Sequence, residues 1–130
     1  MNKLLFKILR FSGLPFIFRE FIQKNKITIL LFYDISRETS EKTFRYLAKR
    51  YNLIDLNIFI NAIENNENFK IPKKAMILTF DDGHIRNYDM LPVIKKMNIP
   101  VTIFLCASIV NTNRHYWFLH NINANSKTEL

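Results

Sequence analysis

Two apolar runs, Ala75–Phe80 and Val101–Leu105, bracket a stretch with helical spacing, and this arrangement constrains the fold more than any other feature of the chain. Leu91, Ile94 and Met97 recur on one side of a helix predicted over 87–97, with Pro92 in its early part and Asn98 as its stop. Two apolar strands joined by a helix usually lie parallel, with a right-handed crossover between them. Neither run alternates apolar with polar residues, which predicts a sheet covered on both faces. The fold class is therefore α/β. Sites in parallel α/β sheets gather at the carboxyl ends of strands. The first run ends there in two carboxylates, Asp81 and Asp82, followed by Gly83.

Residues 2–24 read as helix, broken near Gly13 and Pro15. Ile27–Tyr33 reads as a buried strand with Asp34 at its end. Ser40 opens a predicted helix over 40–51, with Phe44, Leu47, Ala48 and Tyr51 at helical spacing and Asn52 as its stop. Leu53–Leu56 reads as a short strand, and Ile58, Phe59, Ala62 and Ile63 form a second helical stripe. The polar stretch 65–74, with Pro72, is a loop. After residue 106, asparagines mark turns, and the cluster Tyr116-Trp117-Phe118 is placed over the sheet or along a cleft.

A chain of 130 residues with 48% hydrophobic content makes one packed domain. Its two glycines, Gly13 and Gly83, are too few for a dinucleotide fingerprint and too far apart for a P-loop. The formal net charge is +8, and much of it lies in residues 1–26, where Lys3, Lys7, Arg10, Arg19, Lys24 and Lys26 face Glu20 alone. No basic-aromatic module of a nucleic-acid binder accompanies that charge, so no nucleic-acid partner is expected. The spacing of Leu5, Ile8 and Leu9 suits an amphipathic helix, either packed on the domain or in peripheral contact with an anionic membrane. Charges interrupt every apolar stretch, so neither a spanning helix nor a clear secretory signal is legible. Cys106 is the one cysteine; it makes no internal disulfide, no cysteine zinc site, and reads as a buried structural thiol.

Asp81 and Asp82 admit two readings. Neighbouring residues of an extended chain point to opposite sides, so one carboxylate would hold a metal while the other serves as base. Alternatively Asp82, or Asn87, simply caps the next helix. Spacing alone leaves both standing.

At these residues the sequence resembles the polysaccharide deacetylases, the NodB-homology group of carbohydrate esterase family four. Thr79-Phe80-Asp81-Asp82-Gly83 is similar to the first signature of that family. Lys73-Lys74-Ala75-Met76-Ile77-Leu78 precedes it as in members, and Asn87-Tyr88, Leu91-Pro92-Val93-Ile94-Lys95-Lys96 and Asn98-Ile99-Pro100-Val101-Thr102-Ile103-Phe104-Leu105 follow in the same manner. Ile29-Leu30-Leu31-Phe32-Tyr33-Asp34 resembles the lead-in strand, with Asp34 where many members have histidine. The resemblance runs over residues 27–118. It implies a distorted (β/α) barrel and a metal-dependent hydrolase that removes acetyl groups from a polysaccharide or amino sugar, often in the cell envelope. It further implies Asp81 as general base and Asp82 as ligand of a divalent metal, zinc in many members.

The family completes its metal site with an H-[ST]-x-x-H signature. His84, His115 and His120 do not stand in that pattern. On a helix, His115 and His120 would diverge by about 140°. His84, two residues beyond Asp82, is an accessory candidate. The expectation is a basic amphipathic helical segment at 1–26 and, at 27–130, the amino-terminal portion of a NodB-like domain, truncated before its histidines: a partial barrel. The alternative function is an inactive remnant that binds a glycan or a protein partner. A magnesium-dependent phosphoryl-transfer enzyme ranks third, because no phosphate loop is present.

Overall fold

The computed structural model describes residues 3–114 and 116. Its centre is β3, Ala75–Phe80, buried at every position. Six residues without a charge can be buried on both faces only if the backbone is paired on both sides, and it is. On one side runs β1, Thr28–Phe32, parallel and in register from Thr28 opposite Met76 to Phe32 opposite Phe80. On the other side two short parallel strands share the length of β3. β2, Asn52–Leu53, pairs with Ala75 and Met76, and β4, Thr102–Ile103, pairs with Thr79 and Phe80. The predicted parallel strand–helix–strand unit is present, but the second run is strand at Thr102–Ile103 alone, with one further ladder bond from Phe104 N–H to the Phe80 carbonyl. Leu105 is largely exposed.

The alternation of side chains divides β3 between two faces. Met76, Leu78 and Phe80 join Phe44, Leu47, Met90, Val93 and Ile99 in the main core. Phe44 lies on α3, Arg37–Ala48, and Val93 on α6, Leu91–Met97. Phe32 stacks on Phe80 at 5.2 Å, and Phe44 meets both rings edge-on at 6.0 and 6.4 Å. Such pairs add about 0.5–1.5 kcal/mol each beyond the burial of their area. The opposite face holds a smaller cluster, Ile54, Ala75 and Ile77. There Ile29 and Leu31 of β1, in register with Ile77 and Thr79, remain more than half exposed. The sheet is thus covered on one face and only partly on the other. β1 alternates, and is not the fully buried strand its composition predicts.

The helix starts also differ from expectation. α3 begins at Arg37, because Ser36 accepts the Thr39 N–H at 3.3 Å as its N-cap. Ser40 lies inside the helix, fully buried, with its hydroxyl donating to the Arg37 carbonyl. Asp55 caps α4, Leu56–Glu64, so residues 54–56 leave the strand early. The helix predicted over 87–97 is two: α5, Ile85–Asp89, and α6, parted at Met90 with Pro92 in the first turn of α6. Asn98 ends α6 in the left-handed conformation, as its residue type allows.

The amino-terminal segment breaks where Gly13 and Pro15 predict. α1 is Lys3–Phe11, α2 is Leu14–Ile17, and a π-helical turn follows at Phe18–Ile22. None of these residues is buried. The segment is fastened where it enters the domain: Lys74 N–H donates to the Lys24 carbonyl at 2.8 Å, and Lys74 Nζ reaches Glu20 at 3.2 Å.

Candidate functional site

β1 and β3 run parallel, so the residues that follow them emerge at one rim of the sheet. Asp34 follows β1, and Asp81 and Asp82 follow β3. Asp81 is held by the ladder, its N–H donating to the Phe32 carbonyl at 3.2 Å. The chain then turns within three residues. Gly83 N–H donates back to the Asp81 carbonyl at 2.9 Å, and Asp82, at the middle of that turn, has φ 64°. Gly83 also has φ 64°. Two consecutive positive φ values suit Asp-Gly, because aspartate tolerates the left-handed region and glycine enters it freely. A Cβ at Gly83 would press on the Leu105 side chain.

His84 closes the turn. Its Nδ1 accepts the Arg86 N–H at 3.3 Å and caps α5. The capping role expected of Asp82 or Asn87 therefore belongs to His84, and the carboxylate of Asp82 is not spent on a cap. Asn87 is instead buried, and neither polar atom of its carboxamide has a partner among the described residues. It lies against an open apolar cavity of about 490 Å³ behind Gly83, which Leu91, Val101 and Leu105 also line.

Asp34 is tied up. Arg86 donates to its Oδ2 at 2.8 Å, across 52 residues of sequence. Tyr116 covers the turn from above, its hydroxyl donating to the Asp82 carbonyl. Burial, then the neighbouring Asp82 carboxylate, raise the Tyr116 phenol above its ordinary value, so it stays protonated and able to donate at neutral pH. The sequence marked Tyr116 only as part of an aromatic cluster; contact across 34 residues leaves no periodic trace. Trp117 and Phe118 of that cluster, and His115 and His120, lie outside the described residues. Cys106 is half-buried, with its sulfur 3.3 Å from Ser108 Oγ, and is less enclosed than an apolar strand end predicts.

The rim offers carboxylates without a complete cation site. Among the described residues no three His, Cys, Asp or Glu side chains converge. Asp34 faces a guanidinium, and His84 uses Nδ1 for its cap. One free carboxylate pair does not by itself enclose a divalent ion, which takes several ligands.

The family model of the polysaccharide deacetylases matches residues 69–126, a stretch that holds β3, the Asp-Asp-Gly turn, α5, α6 and β4. Among solved structures, the chain is similar to a de-N-acetylase from Aggregatibacter actinomycetemcomitans, with a TM-score of 0.59 and 24% identity over 70% of this chain and 43% of that one. That likeness is one of fold: an α/β arrangement on a parallel sheet, consistent with part of a (β/α) barrel. The chain spans less than half the length of that structure. No curated protein matches the chain.

Proposed function

We propose that this chain carries the base-bearing part of a deacetylase acting on an acetylated polysaccharide or amino sugar. One observation supports it above the others: Asp81 and Asp82 leave the central strand at the carboxyl rim of a parallel sheet, inside the segment that matches the deacetylase family. Asp81 is the proposed general base. It would accept the proton of a water as that water attacks the acetyl carbonyl, and return it to the departing sugar nitrogen or oxygen. The ladder bond to Phe32 fixes the Asp81 backbone, so its carboxylate starts from a held position. The Tyr116 hydroxyl fixes the Asp82 carbonyl in the same way. Asp82 is the proposed contribution to a divalent metal, zinc by resemblance. The metal would polarise the carbonyl when bound; the other ligands are not among the described residues. His84 is proposed as a positioning residue that orients the turn through its cap.

The test is acetate release from acetylated glucosamine oligomers by the protein with added zinc. Asp81→Asn is expected to lower the rate by about 100-fold or more, the usual loss of a positioned base. An unchanged rate would remove Asp81 from this role.

A second reading, a glycan- or partner-binding module without turnover, is favoured by the Arg86–Asp34 ion pair, which ties up the third carboxylate of the rim. Calorimetry with zinc separates the two. Stoichiometric binding abolished by Asp82→Ala supports the hydrolase, and glycan binding unaffected by chelation supports the module.

A further inference from the structure

We propose that residues 3–22 form an interfacial anchor that lies on an anionic membrane surface. Among the described residues, folding leaves the large apolar side chains of this segment uncovered. Leu4, Leu5, Ile8, Leu9, Phe11 and Phe21 are each at least half exposed. At 100° per residue, Lys3, Lys7 and Arg10 fall within an arc of about 60°, and the apolar residues of α1 take the remainder of the wheel. A narrow basic stripe beside a broad apolar face is the pattern of a helix that lies in the plane of the headgroups. α1 is about 13 Å long, and no described helix is long and apolar enough to cross a membrane.

Charge selects the occupant. Lys3, Lys7 and Arg10 make no ion pair among the described residues, and each belongs to the segment that carries the exposed apolar surface. The segment's single acid, Glu20, is already taken by Arg19 at 2.8 Å and Lys74 at 3.2 Å. That pairing ties the end of the segment to the domain and leaves its free charge entirely positive. A second copy of the same segment would cover the apolar face but leave the cations unmatched. An anionic lipid surface meets both the cations and the apolar face.

The experiment is co-sedimentation of the full chain with vesicles of phosphatidylcholine, and with vesicles of phosphatidylcholine mixed with phosphatidylglycerol. Three unpaired cations at about fivefold each predict binding on the order of a hundredfold tighter to the anionic vesicles. That preference should shrink as salt is raised. Replacing Lys3, Lys7 and Arg10 together by glutamine should abolish the preference. The pair Leu5→Ser and Leu9→Ser should abolish binding, and exposure of both leucines keeps the domain folded, as circular dichroism would check. Equal binding to both vesicles, or none to either, overturns the proposal. So does a dimer in sedimentation velocity that Leu5→Ser and Leu9→Ser disperse without any vesicle binding. The readout is binding alone and does not depend on the proposed hydrolysis.

Discussion

The turn after β3 makes a prediction that can be worked through from its backbone. Gly83 has φ 64°, and its missing Cβ would press on Leu105. Gly83→Ala therefore adds two terms. Holding an L-residue in the left-handed region costs about 1–2 kcal/mol. Displacing the Leu105 side chain from its rotamer costs roughly 0.5–1.5 kcal/mol more. The sum is about 1.5–3.5 kcal/mol. With a urea dependence of roughly 1–3 kcal/mol per molar for a small domain, the midpoint should fall by about 0.5 M or more. The assay is urea unfolding followed by far-ultraviolet circular dichroism. Leu105→Ala separates the terms, because Leu105 is 61% exposed and its truncation alone should be nearly neutral. In the Gly83→Ala background it should recover only the rotamer term. Asp82→Gly is the converse: it removes a carboxylate while easing φ 64°, so stability should hold or rise while any zinc binding falls. A Gly83→Ala shift below about 0.5 kcal/mol would refute the left-handed turn, and with it the placement of the two carboxylates.

Two further outcomes are expected. Phe44→Ala, at a fully buried position edge-on to Phe32 and Phe80, should lose about 3–5 kcal/mol, measured by the same unfolding assay. Glu20 has its carboxyl held below the ordinary value of 4.5 by hydrogen bonds from Arg19 and then Lys74. A lowered folded value means the contribution is present above that range and is lost as pH falls through the folded value. The stability of the wild type should thus drop more steeply below about pH 4.5 than that of Glu20→Gln, as urea midpoints at pH 6 and pH 3 would show.

How legible each element was depends on where its information lies. β3 could be read directly, since the six uncharged residues between Lys74 and Asp81 are too short a run for a helix and suit a sheet interior. The break at Gly13 and the stop at Asn98 were legible because both depend on a residue's own backbone freedom. The start of α3 was misplaced at Ser40, because Ser36 is an equally good cap and only the burial of Ser40 decides between them. The exposure of Ile29 and Leu31 was hidden, because an apolar strand looks the same whether or not a second layer covers it. At the site, the carboxylates and their position at a strand end were legible from local pattern. The Arg86–Asp34 pair and the Tyr116–Asp82 bond were not, because contacts across 52 and 34 residues leave no local signal.

The one-sided pairing of β1 bears on how the chain reaches its fold during synthesis. β1 is made first, yet β3, its pairing partner in the described sheet, follows only after α3, β2 and α4. In that interval Thr28–Phe32 has neither a charge nor a proline to discourage pairing with a strand from another chain. Slow emergence of β3, or many ribosomes working close together, lengthens the exposure or multiplies the competitors. The yield of folded protein should therefore depend on the rate of synthesis and on chaperones that shield β1 until β3 arrives.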